Sequence, residues 1–259
     1  MTDGDRHDLL VELGCEELPP LALNALSDAF FDGLLQGLTD AGFDFDRKRS
    51  RAYQSPRRMG VLVADLADRQ PDRVTERKGP SVQAAFDDEG KPTRAALGFA
   101  ASVGREVEDL DRLTTDKGEW LQCTLDEPGK PIDDLLYSLL QGALDRLPVP
   151  KPMRWSDHEF SFVRPVHWLV VLHGDRVIPG RLYGCEAGRL TRGHRIHAPG
   201  NHELQDSKDY VERLATLKVL VDPEQRRQRL RAGVEATGQA DGGSARITSS
   251  LLDEVNNIV

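Results

Sequence analysis

The 259-residue chain is 39% hydrophobic, which is enough to bury a core in one or two domains. Its 43 Asp and Glu residues outnumber its 34 Lys and Arg residues, so the formal net charge is −9, which argues against indiscriminate nucleic-acid binding and restricts any such binding to a local patch. No apolar run approaches the ~20 residues that span a bilayer, the start is acidic, and the three cysteines form no CxxC pair. We therefore expect a cytoplasmic protein without a signal peptide, a membrane partner, a disulfide framework or a zinc ribbon.

The first part of the chain is predicted to form an α/β module over residues 1–75. Apolar residues at helical spacing follow Pro19 and Pro20, which suit the first turn of a helix, and Gly42 ends the pattern. The expected elements are a strand at 8–13, a helix from 19 to about 41, and strands at 53–55 and 59–66. Residues 70–79 are charged and are predicted to be a linker or loop.

A second, mainly helical module is predicted over residues 76–150. Ile132–Leu147 is its clearest helix, because apolar residues recur at helical spacing throughout. The proline-rich run from Pro148 to Pro152 ends this helix and marks a boundary. The other expected elements are helices at 81–86 and 93–103 and a strand at 118–125.

A strand-rich basic module is predicted over residues 151–205, followed by a helical segment over residues 206–259. Gly174-Asp175 suits a tight hairpin turn, and Asp206 and Asp222 suit helix N-caps. The expected strands lie at 159–163, 166–173, 176–183 and 190–196. The apolar residues at helical spacing near the end of the sequence are followed by no helix stop signal, so we expect the sequence to be the N-terminal part of a longer polypeptide. The predicted class is α+β, with mixed or antiparallel sheets, flanking helices and more than one sub-domain.

The segment from Lys151 to His197, named here the basic segment, differs in charge from the rest of the chain. It holds eight Lys and Arg residues against four acidic residues, and five of the seven histidines. Seven of its eight cations are arginines, which can grip a phosphate through two hydrogen bonds. With Trp and Phe among them, this composition is typical of a polyanion-binding face.

Short motifs supply the candidate contact residues, each with a structural alternative. Ser55–Arg58 is predicted to present phosphate contacts on a rigid proline turn, or to be a plain surface turn. Met153–Trp155 is either an RNA-stacking platform or a domain-interface anchor, and Arg192–Arg195 is a phosphate or protein contact or a solvated strand end. The candidate residues are Arg57, Arg58, Arg154, Trp155, Arg164, His167, Arg192, His194 and Arg195.

Other charged groups favour structural roles. Glu16-Glu17 suits the junction between a strand and a helix better than acid–base chemistry. The arginines between Arg226 and Arg231 are typical of a solvated helix face, with RNA binding as the alternative. The sequence shows no GxxxxGK[ST], GxGxxG, GxSxG or HExxH motif, so no catalytic residue is predicted. His194 and His197 are expected on opposite faces of one strand, so no metal site is predicted.

Several motifs resemble, in order along the chain, the β subunit of the bacterial heterotetrameric glycyl-tRNA synthetase, or glycine–tRNA ligase. The matching motifs are GCEELPP at 14–20, SPRR at 55–58, KGP at 78–80, FDDEGKPTRAALGFA at 86–100, RLTTDKGEWL at 112–121, PKPMRW at 150–155, FVRPVHWLV at 162–170 and RGHRI at 192–196. One departure is Cys15, where the family usually has Thr. This replaces a hydroxyl with a small thiol.

The resemblance implies an α2β2 enzyme that joins glycine to tRNA(Gly) with ATP. The family's α subunit holds the aminoacylation site, so ATP and Mg²⁺ are expected on that subunit and no cofactor is expected on this chain. The β subunit mainly grips tRNA and the α subunit, and its HD-like and anticodon-binding domains lie beyond residue 259. We therefore expect a non-catalytic, tRNA-binding and assembly region, with no DNA partner. A purely structural α-docking module and an editing-type domain are the alternatives.

Overall fold

A computed structural model describes residues 5–116, 118–149 and 151–259. Residues 1–4, Lys117 and Pro150, which belong to the acidic start and to two of the motifs, lie outside the described residues. The elements in chain order are β1 (Arg6–Cys15), α1 (Pro20–Asp40), β2 (Asp46–Ser55), β3 (Arg58–Ala67), β4 (Arg73–Ser81), α2 (Val82–Ala85), α3 (Arg94–Val103), β5 (Asp111–Thr115), β6 (Gly118–Glu127), α4 (Ile132–Leu144), β7 (Val166–His173), β8 (Arg176–Val177), β9 (Arg181–Leu182), β10 (Cys185–Gly188), β11 (Leu190–Arg192), β12 (Asn201–Glu203), α5 (Tyr210–Thr216), α6 (Pro223–Ala240) and α7 (Ser249–Asn256). Short 3₁₀ turns lie at Val107–Asp109 and Ser207–Asp209.

The chain divides into two compact units, residues 1–70 with 130–259 and residues 71–129. The four predicted modules do not coincide with these units. β7, from the predicted third module, pairs antiparallel with β1 from the first over Leu9–Cys15. The basic segment and the N-terminal elements therefore share one sheet, which sequence order alone could not show.

The sheet of the first unit has the order β2-β3-β1-β7-β10-β9, with β8 paired to β7. β1 lies near its middle, with Leu10 opposite Leu62 on one side and Leu172 on the other. β10 pairs parallel with β7, so the sheet is mixed and the predicted α+β class is confirmed. In the described part of the chain, no helix is both long and apolar enough to cross a membrane.

Side-chain alternation along β1 divides the core of the first unit between the two faces of the sheet. Leu9, Val11 and Leu13 point toward the helical layer of α1 and α4. Leu10 points to the other face and packs with residues such as Tyr210 of α5. The same alternation places Glu12 on the face of Leu10, inside a protein layer where a carboxylate needs partners.

The second unit is a three-stranded antiparallel sheet of order β4-β6-β5, with α2 and α3 packed on it. Its core contains Ala85, Ala96 and Leu121. The predicted linker at 70–79 is wrong, because most of it forms β4, and β5 was not predicted. β4 is largely exposed and carries no apolar alternation, so its structure depends on hydrogen bonds to β6, which no local pattern reveals.

Several elements of the basic segment differ from prediction. The strand at 166–173 and the hairpin turn at Gly174-Asp175 are confirmed. Residues 159–163 form no strand and contribute only a bridge between Met153 and Phe162. The strand predicted at 176–183 is split into β8 and β9, and the one at 190–196 ends at Arg192. In the helical region, the capping residues Asp206 and Asp222 accept backbone N–H groups as predicted.

A basic cleft as the candidate binding site

A cleft of about 800 Å³ opens on the first unit, and motifs that are far apart in sequence meet there. Residues 17–20 follow the end of β1, residues 55–58 form the turn between β2 and β3, and residues 192–195 follow β11. Arg164 and Trp168 come from β7 and the segment before it. The remaining lining comes from residues 218–220, from α6 and from residues 257–259. The fold therefore brings together most of the candidate motifs.

The lining of the cleft is strongly cationic, although the chain as a whole is acidic. One carboxylate, that of Glu17, is present among the described lining residues. The eight cationic lining residues are Arg57, Arg58, Arg164, Arg192, Arg195, Lys218, Arg226 and Arg229. Like charges held in a concave surface focus the electrostatic field, so the cleft should attract anions.

A buried carboxylate lies beneath the cleft. Glu12 is 0% exposed and accepts hydrogen bonds from Thr191 Oγ1 and Tyr210 Oη, both at 2.6 Å, and from the indole of Trp168. Arg58 Nη1 donates to it at 3.1 Å. The donors come from β3, β7, β11 and α5, so a single charged side chain links four elements of the first unit.

The structure corrects the role that the sequence predicted for Arg58, which was contact with phosphate. Its side chain is 3% exposed, and it donates to Glu12, Thr191, Ser55 and the carbonyl of Arg192. A guanidinium with this many protein partners has little to offer a ligand. Its role is to neutralise Glu12 and to hold the start of the 192–195 segment.

Arg192 is the cleft residue most directly supported by this network. Its backbone carbonyl accepts a hydrogen bond of 2.6 Å from Arg58 Nη2. Its guanidinium carbon lies 4.9 Å from the ring centroid of Trp168, a cation–π contact. Trp168 can occupy this position because residue 14 is glycine, where a Cβ would overlap the indole ring. No carboxylate among the described residues pairs with Arg192.

Glu16 organises the edge of the cleft. Its carboxylate lies 3.3 Å from Arg57 Nη2 and 3.0 Å from His167 Nε2. Arg57 lines the cleft, whereas His167 is not among its lining residues. Glu16 was predicted to serve the junction between β1 and α1, but α1 has no acidic residue in its first turn, and Glu16 instead joins the end of β1 to the neighbouring turn and strand. Arg57 and His167 therefore have a protein partner already.

His194 and His197 lie in a turn, and their ring centroids are 4.5 Å apart. The expectation that they point to opposite faces of a strand is wrong, because the strand ends at Arg192. His194 Nδ1 accepts the backbone N–H groups of Ile196 and His197, both at 3.1 Å. That nitrogen is thus occupied in stabilising the turn. Among the described residues, no group of three or more His, Cys, Asp or Glu side chains could hold a metal ion.

Trp155 and Arg154 lie away from the cleft lining. Trp155 is partly buried against the core and lies edge-on to Phe160, with ring centroids 5.2 Å apart. It also contacts Tyr183, at a centroid distance of 6.4 Å. Of its two predicted roles, these contacts match an anchor rather than an open stacking platform. Arg154 is exposed beside it.

Arg226 is a residue whose importance the sequence did not reveal. It was predicted with its neighbours as part of a solvated face, but it is 3% exposed. It donates to the carbonyls of Gln54, Leu220 and Asn256, which ties α6 to β2 and α7. Burial lowers the pKa of Arg226 to about 10, against the opposing effect of Asp222. Arg229, one turn further along α6, is exposed and lines the cleft.

Comparison with known proteins gives the family. The family model described as "Glycyl-tRNA synthetase beta subunit" matches residues 9–259. The chain belongs to the glycyl-tRNA synthetase β subunit family. The glycine–tRNA ligase beta subunits of Chromohalobacter salexigens and Marinobacter nauticus are each 48% identical to it, over 97% and 96% of this chain respectively. That of Xanthomonas campestris pv. campestris is 45% identical over 97% of this chain. The chain spans 36% of the length of these relatives.

Family membership confirms the resemblance on which the sequence prediction rested. The motifs at 14–20, 55–58, 162–170 and 192–196 contribute residues to the cleft. Those at 78–80, 86–100 and 112–121 lie in the second unit. The cleft also uses α6 residues that belong to no quoted motif. Their signal in the sequence was the spacing of Arg226, Leu230 and Val234 along one face of a helix.

Proposed function

We propose that this chain serves a glycyl-tRNA synthetase as part of its β subunit and that the basic cleft contacts tRNA(Gly). Within an α2β2 enzyme in the cytoplasm, ATP and Mg²⁺ would act on the α subunit and this chain would bind no cofactor. Its task would be positional, since arginines that hold the tRNA backbone keep the acceptor end within reach of the partner subunit. No residue of this chain is assigned a catalytic role.

The observation that carries the proposal is the uncompensated positive charge of the cleft. Six of its eight cations have no carboxylate partner among the described residues, and two of these six, Arg164 and Arg226, donate to backbone carbonyls instead. The other four are Arg192, Arg195, Lys218 and Arg229. Although the net charge of the chain is −9, these clustered cations raise the local concentration of anions at the cleft. If these four cations contact phosphates, a plot of the logarithm of tRNA affinity against the logarithm of salt concentration should have a slope of about −3 to −4.

The test is a double substitution, Arg192→Ala with Arg195→Ala, in the full-length β subunit assembled with its α subunit. We expect tRNA affinity to fall roughly tenfold at low salt. The salt slope should become shallower by about 2, because two phosphate contacts are lost. Arg213→Ala is the matched control, since Arg213 is exposed on α5 of the same unit and does not line the cleft. Association between the α and β subunits is measured in parallel.

A second function, docking of the α subunit, has support in the apolar residues of the same cleft. Val234 is 45% exposed there, and Leu220 and Leu230 are partly exposed. If the double variant binds tRNA with unchanged affinity and salt slope but associates more weakly with the α subunit, the tRNA proposal is wrong and the docking function replaces it.

A further inference from the structure

We propose that the cleft binds an unpaired stretch of RNA, with phosphates on its arginines and bases against its apolar residues. This rests on the proposed function, because it specifies which part of an RNA the same site takes. Double-stranded RNA is recognised mainly by shape and by backbone contacts across its minor groove, whereas unpaired bases enter pockets and stack. The two kinds of ligand therefore need different surfaces.

The size of the cleft favours an unpaired segment. At about 800 Å³ it lies within the range of concave sites that enclose small ligands, roughly 300–1,000 Å³. Such a volume can enclose a few nucleotides, but a double helix would have to lie across its mouth.

The part of the cleft lining that α6 supplies combines charged and apolar side chains at helical spacing. Arg226, Arg229, Leu230, Gly233 and Val234 all face the cleft and follow the i, i+3, i+4, i+7, i+8 pattern of one helix face. Gly233 has nothing within 4 Å of the position that a Cβ would take, so the space in front of it is open. A duplex backbone offers phosphates and sugars but no exposed base faces, and would leave Leu230 and Val234 without a complementary surface.

Arg192 supplies a preorganised platform. Its guanidinium lies 4.9 Å from the Trp168 ring centroid, and Trp168 is itself fixed by its hydrogen bond to Glu12. Bases stack on arginine planes as well as on aromatic rings, and a guanidinium that is already held loses little freedom when it binds. Its N–H groups can meet a phosphate at the same time.

The experiment uses the full-length β subunit assembled with its α subunit. A fluorescent oligouridylate of about ten nucleotides, within the site sizes of single-strand binders, is the probe. A blunt-ended RNA duplex of the same length and oligoglutamate are the competitors. We expect the probe to bind and the duplex to compete at least roughly tenfold less well than unlabelled oligouridylate.

Two substitutions separate the charged from the apolar contacts. Arg229→Ala should weaken oligouridylate binding several-fold and make the salt slope shallower by about 1. Arg231→Ala is its matched control, because Arg231 is exposed on the same helix but outside the cleft lining. Val234→Thr keeps the side-chain shape and should weaken binding about twofold to fivefold with an unchanged salt slope, since only apolar contact is lost.

The outcomes distinguish this inference from the proposed function. If Arg192→Ala and Arg229→Ala change the binding of neither oligouridylate nor tRNA, both are overturned. If they weaken tRNA binding while the duplex competes as well as oligouridylate, tRNA binding stands and the unpaired-RNA site is refuted. If oligoglutamate displaces the probe and binds far more tightly than the probe does, the cleft is a site for an acidic polypeptide instead.

Discussion

The buried carboxylate of Glu12 should dominate the stability of the first unit. Its four donors come from four different elements, and one of them, Arg58, is itself only 3% exposed. Glu12→Gln keeps the shape of the side chain but removes its charge. The substitution leaves the Arg58 guanidinium buried without a counter-charge and replaces one acceptor oxygen with an amide donor that faces other donors.

The expected loss follows from the burial of both partners. Breaking a buried ion pair by removing one member costs about 3–5 kcal/mol, because the remaining charge stays out of water. This is a large part of the roughly 5–15 kcal/mol by which folded domains are stable. Tyr210→Phe removes one donor but leaves the ion pair, and should cost about 1.5–3 kcal/mol.

The assay is urea denaturation followed by tryptophan fluorescence, which Trp168 makes sensitive to this site. Asp32→Asn is the control, since the Asp32–Arg47 pair is more than half exposed on both sides and such pairs contribute about 1 kcal/mol or less. If Glu12→Gln loses no more stability than Asp32→Asn, Glu12 does not have this stabilising role. A smaller loss in the double variant Glu12→Leu with Arg58→Met than the sum of the single losses would confirm that the two residues act as a pair.

Three further predictions test the packing and the titrating groups. Gly14→Ala should destabilise the chain by about 3 kcal/mol or more in urea denaturation because its methyl group overlaps Trp168, whereas Gly142→Ala, with open space around it in α4, should be neutral or stabilising by up to about 1 kcal/mol. Burial raises the pKa of all four tyrosines, and it raises that of Tyr137 to about 12. As pH rises, the unfolded chain therefore loses these phenol protons before the folded chain does. The free energy of unfolding should therefore fall as pH rises above about 10, and unfolding should increase phenolate absorbance at these pH values. Burial raises the pKa of the Cys15 thiol to about 12, so iodoacetamide in native protein should modify the partly exposed Cys185 well before Cys15, as peptide mass spectrometry would show.

Local pattern predicted the elements whose own residues specify them. α1 begins at Pro20 and α6 at Pro223, where the sequence has start signals, and the strand at 166–173 contains the apolar run Trp168–Leu172. β4 and β5 escaped prediction because their side chains are largely exposed and their hydrogen bonds are to β6. The strand boundaries of the basic segment were predicted least accurately. Its short strands are stabilised by pairing with one another, with β10 parallel to β7 and antiparallel to β9, and local sequence pattern does not reveal this pairing.

In the candidate site, too, the sequence predicted some features and could not predict others. Composition was enough to indicate a polyanion-binding region, and Arg164, Arg192, His194 and Arg195 do line one cleft. Composition could not separate the arginines by role, because that depends on which carboxylate each one meets. Arg58 meets Glu12, which precedes it by 46 residues, and Arg57 meets Glu16.

The sequence by itself determined the family, the α+β class, the main helices and the presence of a basic region in an acidic chain, because these are properties of residues and their local spacing. Only the tertiary structure decided which arginines meet a carboxylate, that Trp155 packs against the core beside Phe160, and that α6 completes the cleft with Arg229 and Val234. The physical reason is that burial and pairing arise between segments that the sheet brings together. Glu12 and Tyr210 are 198 residues apart in sequence, yet their side-chain oxygens lie 2.6 Å apart.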